Sequence, residues 1–293
     1  MIRDEARRQV LRGRVTGTVA AWLVLALGLT LGLSGCSQDA VLAPTDDASQ
    51  IRIGIKFDQP GLGYMQDGSP TGFDVDVAAY IAWKLGFSPY VIEWVETVSP
   101  EREAFLTEGK VDFIVASYTI NDERREQVDF AGPYFVAGQD LLVRAEDASI
   151  AGPADLVGKK VCSAEGSSSI YRLRDMLGDT AEIVGRERLS ECVSMLAMNE
   201  VDAVSSDDLI LAGYAAQDEW FGKVRVVGEH FSTEELGIGL PPGSPAICEQ
   251  INEALRLMVE DGSWEKFIVR HTAGTGFDPL STGNPPKPVA CQR

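Results

Sequence analysis

From residue 51 onward, apolar and polar positions switch between a period of two and a period near four, and the switches outline a fold. Ile51, Ile53 and Ile55 recur at every second position, the pattern of a strand with one buried face. After a Gly/Pro-rich loop, Gly72-Phe73-Asp74 precedes Val77, Ile81 and Leu85 at helical spacing, with Asp74 a candidate N-cap and Gly86 a stop signal. Residues 90–95 read as a strand, 101–107 as a short helix, and 111–116 as an almost continuous apolar strand, the pattern of a strand buried on both faces. The second half repeats the alternation, with strands at 161–163, 181–184, 202–205 and 224–227 and helices at 169–177, 189–198 and 209–216. A strand at 236–240 and helices at 246–260 and 263–269 close the pattern. Such alternation implies α/β lobes with mostly parallel sheets. Ligands of such sheets sit beyond the carboxyl ends of strands, at the N-termini of the following helices.

A segment of different character lies ahead of this pattern. Arg3, Arg7, Arg8, Arg12 and Arg14 precede an apolar stretch, 19–33, that runs into Leu33-Ser34-Gly35-Cys36. A basic start, an apolar centre and small residues before a cut form a secretory signal. A permanent transmembrane helix, or a signal cut elsewhere, is the competing reading. Leu-Ser-Gly-Cys resembles the bacterial lipobox, whose cysteine becomes the lipidated first residue. The expectation is a lipoprotein signal peptide over 1–35, then a lipidated Cys36 and flexible tether over 36–49 that anchor the protein to the cell membrane on its extracytoplasmic side.

Composition narrows the function classes. Hydrophobic residues make up 45% and charged residues 24%, an ordinary globular balance. The net charge of −18 argues against nucleic acid as a partner. Cutting before Cys36 removes five arginines and two acids, which takes it from −18 to −21. An acidic protein attracts anions poorly at long range, so an anionic ligand would have to be held by local cations. Four cysteines remain after Cys36, and an even number in an exported chain reads as disulfides. Three pairings are possible; the most local, Cys162–Cys192 with Cys248–Cys291, is preferred. No two of these cysteines have the short spacing of a zinc site, and His230 and His271 are isolated, so neither a metal nor a cofactor is expected.

Three loops after strands carry candidate chemistry. In Ser117-Tyr118-Thr119-Ile120-Asn121-Asp122-Glu123-Arg124, a hydroxyl, backbone donors and a guanidinium could meet one carboxylate, whose two oxygens match the fork of an arginine. Read alone, such an arginine is more often a solvated surface residue, here beside Glu123. Gly166-Ser167-Ser168-Ser169 opens a helix whose free N–H groups suit an anion, although such a loop is more often a simple turn. Asp207 follows a strand and could hold an ammonium, or merely cap the next helix. One carboxylate-binding arginine, one anion loop and one acid for an ammonium together describe an α-amino-acid site.

GIKFDQPGLG, GFDVDVA, GKVDFIVASYTINDER, FAGPYFVAGQDLLV, VCSAEGSSS and VDAVSSDDLILAGY together resemble the polar-amino-acid solute-binding proteins of ABC importers, from about Ile51 to Phe277. Within that family the GIKFDQPGLG segment and the placement of Cys162 and Cys192 are most similar to glutamate-binding lipoproteins. The resemblance implies a type II periplasmic-binding-protein bilobe. Lobe 1 would comprise 50–136 and 234–281, lobe 2 137–233, and the C-terminal tail 282–293. Two crossing strands, near 134–138 and 232–236, would form the hinge. It further implies that Thr119 and Arg124 grip the ligand α-carboxylate, that Ser117 offers its carbonyl to the ammonium, that Ser167 and Ser168 add donors, and that Asp207 binds the ammonium. Ser168 stands where relatives often carry Gly. Lys56 replaces the acid of glutamine-binding relatives and would pair with a side-chain carboxylate, with Arg102 as a second cation and Phe57 against the methylenes. Their bland readings are a strand-end charge, a helix-surface partner of Glu101 or Glu103, and a core residue.

The implied protein is a monomeric binder of L-glutamate, or of aspartate, working with an ABC permease and its ATPase subunits. A binder of glutamine or another polar amino acid is the alternative. A dehydratase-type enzyme or a sensor on the same fold is a further one, but no nucleophile–base pair stands out and an enzyme is not expected.

Overall fold

The computed structural model describes residues 50–280 and 283–291. The signal, the lipidated Cys36 and the tether expected from the sequence lie outside them. The chain opens with β1 (Ile51–Ile55), a small antiparallel meander of β2 (Asp58–Gln59), β3 (Gly63–Gln66) and β4 (Ser69–Thr71), and helix α1 (Phe73–Lys84). Next come β5 (Ile92–Glu96), α2 (Arg102–Thr107), β6 (Phe113–Thr119), α3 (Asp122–Arg125) and β7 (Asp129–Ala137). A second group follows: β8 (Gln139–Arg144), β9 (Lys160–Ala164), α4 (Ser168–Leu177), β10 (Glu182–Arg186), α5 (Leu189–Ala197), β11 (Ala203–Asp207), α6 (Asp208–Ala215) and β12 (Val224–Val226). Finally β13 (Glu234–Leu240), α7 (Pro245–Glu260) and α8 (Ser263–Thr272) rejoin the first group.

Two α/β lobes result, each around its own five-stranded sheet, with strand orders β5-β1-β6-β13-β7 and β10-β9-β11-β8-β12. The sheets are mixed rather than mostly parallel. β1 runs parallel to β5 and β6, whereas β13 is antiparallel to β6 and β7. In the second sheet β9 is parallel to β10 and β11, and β8 is antiparallel to β11 and β12. The strands that reverse direction, β8 and β13, are those that arrive from the other lobe. An apolar run reports burial on both faces and is silent about direction, which is why the sequence pattern missed this. The chain crosses between sheets twice, at Gly138 between β7 and β8 and over 227–233 between β12 and β13.

The first lobe's core centres on Phe73, Phe135 and Trp264. Phe73 meets Trp264 edge-on at 5.7 Å and Phe135 at 5.9 Å. Gly72, not Asp74, caps α1: its φ of 130° is open to glycine, and a Cβ there would lie 1.8 Å from the Leu62 carbonyl oxygen. Asp74 instead turns into the protein, where its carboxylate accepts from the Ser117 N–H (2.9 Å) and the Tyr134 hydroxyl (2.7 Å). Burial pushes its carboxyl up to about 6, against the pull of those two hydrogen bonds.

The disulfides take the preferred pairing, Cys162–Cys192 joining β9 to α5 and Cys248–Cys291 joining α7 to the C-terminal segment. That segment lies along β7, the last strand of its sheet. Val289 N donates to the Gly132 carbonyl (2.9 Å), and the Asn284 amide exchanges two hydrogen bonds with the Val136 backbone (2.8 and 2.9 Å).

Candidate functional site

The carboxyl end of β6 faces the N-terminus of α4 and the end of β11 across the gap between lobes. Ser117, Thr119, Arg102 and Arg124 line the gap from the first lobe; Ser167, Ser168 and Asp207 line it from the second. The walls nearly meet, enclosing a cavity of about 20 Å³, the room of roughly one water. Thr119 Oγ1 lies 3.1 Å from Ser168 Oγ, and Arg124 Nη2 donates to the Gly166 carbonyl at 3.2 Å. The structure therefore holds the lobes shut.

Local sequence explains how these groups are aimed. Ser117 interrupts β6 with a φ of +43°, uncommon for a residue with a side chain, and is held there by Asp74 at its N–H and Gln59 at its hydroxyl (2.9 Å). Asn121 caps α3 by accepting from the Arg124 N–H (2.9 Å), which fixes the start of the arginine's side chain. Arg124 Nη1 then donates to the Thr119 carbonyl at 2.6 Å, and Nε lies 3.6 Å from Glu103. Ser167 caps α4 through the Ile170 N–H and donates to the Ala164 carbonyl, so its hydroxyl is engaged with its own turn. Ser168, the first helical residue, faces Thr119.

Three cations lie buried together on the first lobe. Arg102, 2% exposed, donates to the Ala116 carbonyl (3.1 Å) and stacks over the Tyr118 ring (4.1 Å), while its Nε has no hydrogen-bond partner among the described residues. Arg124 lies over the same ring at 5.0 Å. Burial, then the neighbouring Arg124, lowers the Arg102 guanidinium to about 10. Lys56 sits behind the cavity wall with Nζ on Ser99 Oγ at 3.0 Å, and Ser99 itself lines the cavity. Burial, then Arg102, lowers the Lys56 ammonium to about 7.

Asp207 faces them from the second lobe. It occupies the N-cap position of α6 without making the side-chain capping bond, and its carboxylate has no hydrogen-bond or ion-pair partner among the described residues. Burial first, then Glu234 and Asp208, hold its carboxyl well above the usual range, against the opposing pull of Arg124 and Arg102. An acid left this way is a receptor for a positive group.

The structure thus brings Arg102, Ser117, Thr119, Arg124, Ser167, Ser168 and Asp207 to one cavity, with Lys56 immediately behind it. Phe57 goes elsewhere: it lines a separate depression of about 580 Å³ with Tyr64, Tyr214 and Trp220. Sequence reasoning missed Gln59, Ser99 and Ser206, which also line the cavity, and Asp74, which props up Ser117. Gln59 sits in the two-residue β2 and Ser99 in a single three-residue helical turn, both too short to show a period, so nothing in the pattern marked them.

The family model for bacterial extracellular solute-binding proteins, family 3, matches residues 51–273. Glutamate-binding protein GluB of Corynebacterium efficiens is 39% identical over 257 residues, which cover 83% of this chain and 86% of that protein. ABC transporter glutamine-binding protein GlnH of Bacillus subtilis is 32% identical over 233 residues, covering 78% and 84%. Among solved structures, an ancestral arginine-binding protein bound to glutamine matches with a TM-score of 0.71 at 34% identity, over 76% of this chain and 97% of that one.

Proposed function

The chain belongs to the bacterial extracellular solute-binding proteins of family 3, and on that premise we propose that it is the amino-acid-binding subunit of an ABC importer, with L-glutamate as its ligand. The observation that carries this reading is the charge balance of the cleft. Arg124 and Asp207 on opposite walls suffice for the α-carboxylate and α-ammonium of any amino acid. Arg102 and Lys56 remain, buried and without an acidic hydrogen-bonding partner among the described residues, and a side-chain carboxylate satisfies them. Thr119, Ser167 and Ser168 supply neutral donors around the α-carboxylate, with Ser117 beside the ammonium.

Ligand docks first on the cations of the open first lobe, and rotation at Gly138 and 227–233 then brings α4 and Asp207 onto it. A ligand shifts this equilibrium only through the contacts it makes better in the closed form. Lipid on Cys36 would hold the monomer at the membrane, where its closed form meets the permease.

A glutamine-binding reading draws on one observation, since a lysine lowered to about 7 can be neutral and accept an amide. Calorimetry with glutamate, aspartate, glutamine and arginine separates the two. Glutamate binds most tightly if Lys56 reads a carboxylate; glutamine binding as tightly as glutamate refutes that role. Arg124→Ala is expected to weaken every α-amino acid by roughly 2–5 kcal/mol, the cost of truncating one partner of a buried charge pair. Retained affinity would remove Arg124 from the carboxylate site.

A further inference from the structure

Glu234 opens β13, the strand that returns from the second lobe, and it is 1% exposed. One carboxylate oxygen accepts from Arg172 on α4 and from the Ser232 hydroxyl (2.6 Å); the other, Oε2, is buried with no hydrogen-bond partner among the described residues. Strand register places this residue. Glu234 pairs with Ala137 in the first sheet and Asp207 pairs with Gln139 in the second, so the two acids flank Gly138, one on each lobe. Asp208 N also donates to the Gly138 carbonyl (2.8 Å), which fastens the end of β11 to the crossing itself. After burial, Glu234 is the strongest influence holding the Asp207 carboxyl up, so the two groups feel each other directly. In this closed form two acids lie buried beside one crossing, with Arg172, 38% exposed, covering a single Glu234 oxygen.

We propose that Glu234 makes closure conditional on a positive group at Asp207, so that the cleft shuts on an α-ammonium and rejects dicarboxylates that lack one. The proposal rests on the reading of Asp207 as the ammonium site. A buried carboxylate pair costs free energy until a cation lies against it, and the ligand's ammonium is that cation. Glutamate and glutarate both offer two carboxylates to Arg124, Arg102 and Lys56. Only glutamate relieves the repulsion on the opposite wall. Discrimination of this kind comes from a penalty on the wrong ligand rather than from a better contact with the right one.

The test uses the full exported chain and two substitutions of opposite sign. Glu234→Gln removes the repelling charge; Arg172→Gln removes the partner that offsets it. Small-angle scattering of the free protein and calorimetry with L-glutamate and glutarate are the readouts. The free Glu234→Gln protein is expected to be more compact than the unaltered one, and its glutarate-to-glutamate Kd ratio to fall at least about tenfold. Arg172→Gln is expected to give a more open free protein and a larger ratio. If both substitutions move the two readouts in the same direction, Glu234 only anchors Arg172 and the proposal fails; no change in either readout with Glu234→Gln also overturns it. If Glu234→Gln does not fold, Arg172→Gln decides by the same signs. Asp207→Asn checks the ammonium reading by itself: retained L-glutamate affinity would remove Asp207 from the ammonium site, an outcome distinct from failure of the Glu234 proposal.

Discussion

Lys56 follows β1 with its ammonium buried against Ser99, and its lowered value ties ligand binding to protons. The closed protein's value, about 7, lies below the 10.5 of an exposed lysine, so the unfolded chain holds more protons between these two pH values and stability rises with pH across that window. A ligand carboxylate beside Lys56 restores the charge. At pH 8 glutamate binding should take up as much as about one proton, seen in calorimetry as a dependence on the buffer's ionisation enthalpy. Lys56→Met should abolish the uptake and weaken glutamate more than glutamine; uptake that persists would place the titrating group elsewhere. Individual residues were unevenly legible beforehand. Arg124 and Asp207 stood out because each lies in a loop beyond an apolar strand and within a segment that resembles the family, although read alone each also fitted a surface charge or a helix cap. Phe57 was misplaced because nothing in the pattern revealed that the chain bends into the β2–β4 meander directly after it. Glu234 was invisible: its role arises from pairing with Ala137, 97 residues earlier in the chain.

At the scale of elements, two glycines separate what builds a lobe from what closes the pair. Gly72 starts α1 against the Leu62 backbone, within the first lobe, and Gly72→Ala should lower the unfolding temperature sharply because neither atom can yield. Gly166, with φ of +72°, begins the α4 turn; a Cβ there would approach Pro100 N at 2.8 Å, across the gap. Gly166→Ala should therefore hold the lobes apart and raise the Kd for glutamate at least about tenfold, while left-handed strain costs the lobe itself only about 1–2 kcal/mol. An unfolding temperature falling as far as in Gly72→Ala, with affinity intact, would show that the contact belongs to folding rather than closure. Element types were largely legible, since β1 alternates, β6 is a continuous apolar run and α7 carries helical spacing. The meander escaped because β2 has two residues and β4 three, too few to show a period. β8 was not read as a strand at all, and the antiparallel course of β13 escaped because direction leaves no mark on composition.

For the whole molecule the governing quantity is a charge of −18 on a protein whose proposed ligand is an anion. The attracting cations are local and buried, whereas the repelling field is diffuse and exposed to salt. Raising ionic strength from about 10 to 150 mM should speed glutamate association several-fold, followed by tryptophan fluorescence in stopped flow, because screening removes the long-range repulsion first. A rate that falls with salt would mean that the cleft's own cations dominate the approach. The α/β character was legible in the repeated alternation of strand and helix and the bilobed plan in the family resemblance; the contacts that shut it, such as Arg188 on Glu96 at 2.9 Å and Ser190 N on Asp58 at 3.2 Å, join positions more than 90 residues apart and carry no local signal.

The C-terminal segment stitched along β7 bears on how copies of the protein behave toward each other. β7 ends its sheet, and an unpaired strand edge is a template for another chain. Here Gly132 and Val136 already have both backbone groups engaged, by Asn252, Val289 and Asn284, and Cys248–Cys291 keeps the cover in place. The second disulfide thus guards against edge-to-edge association at the very strand that leads into the hinge, leaving that strand free to bend without recruiting a neighbour.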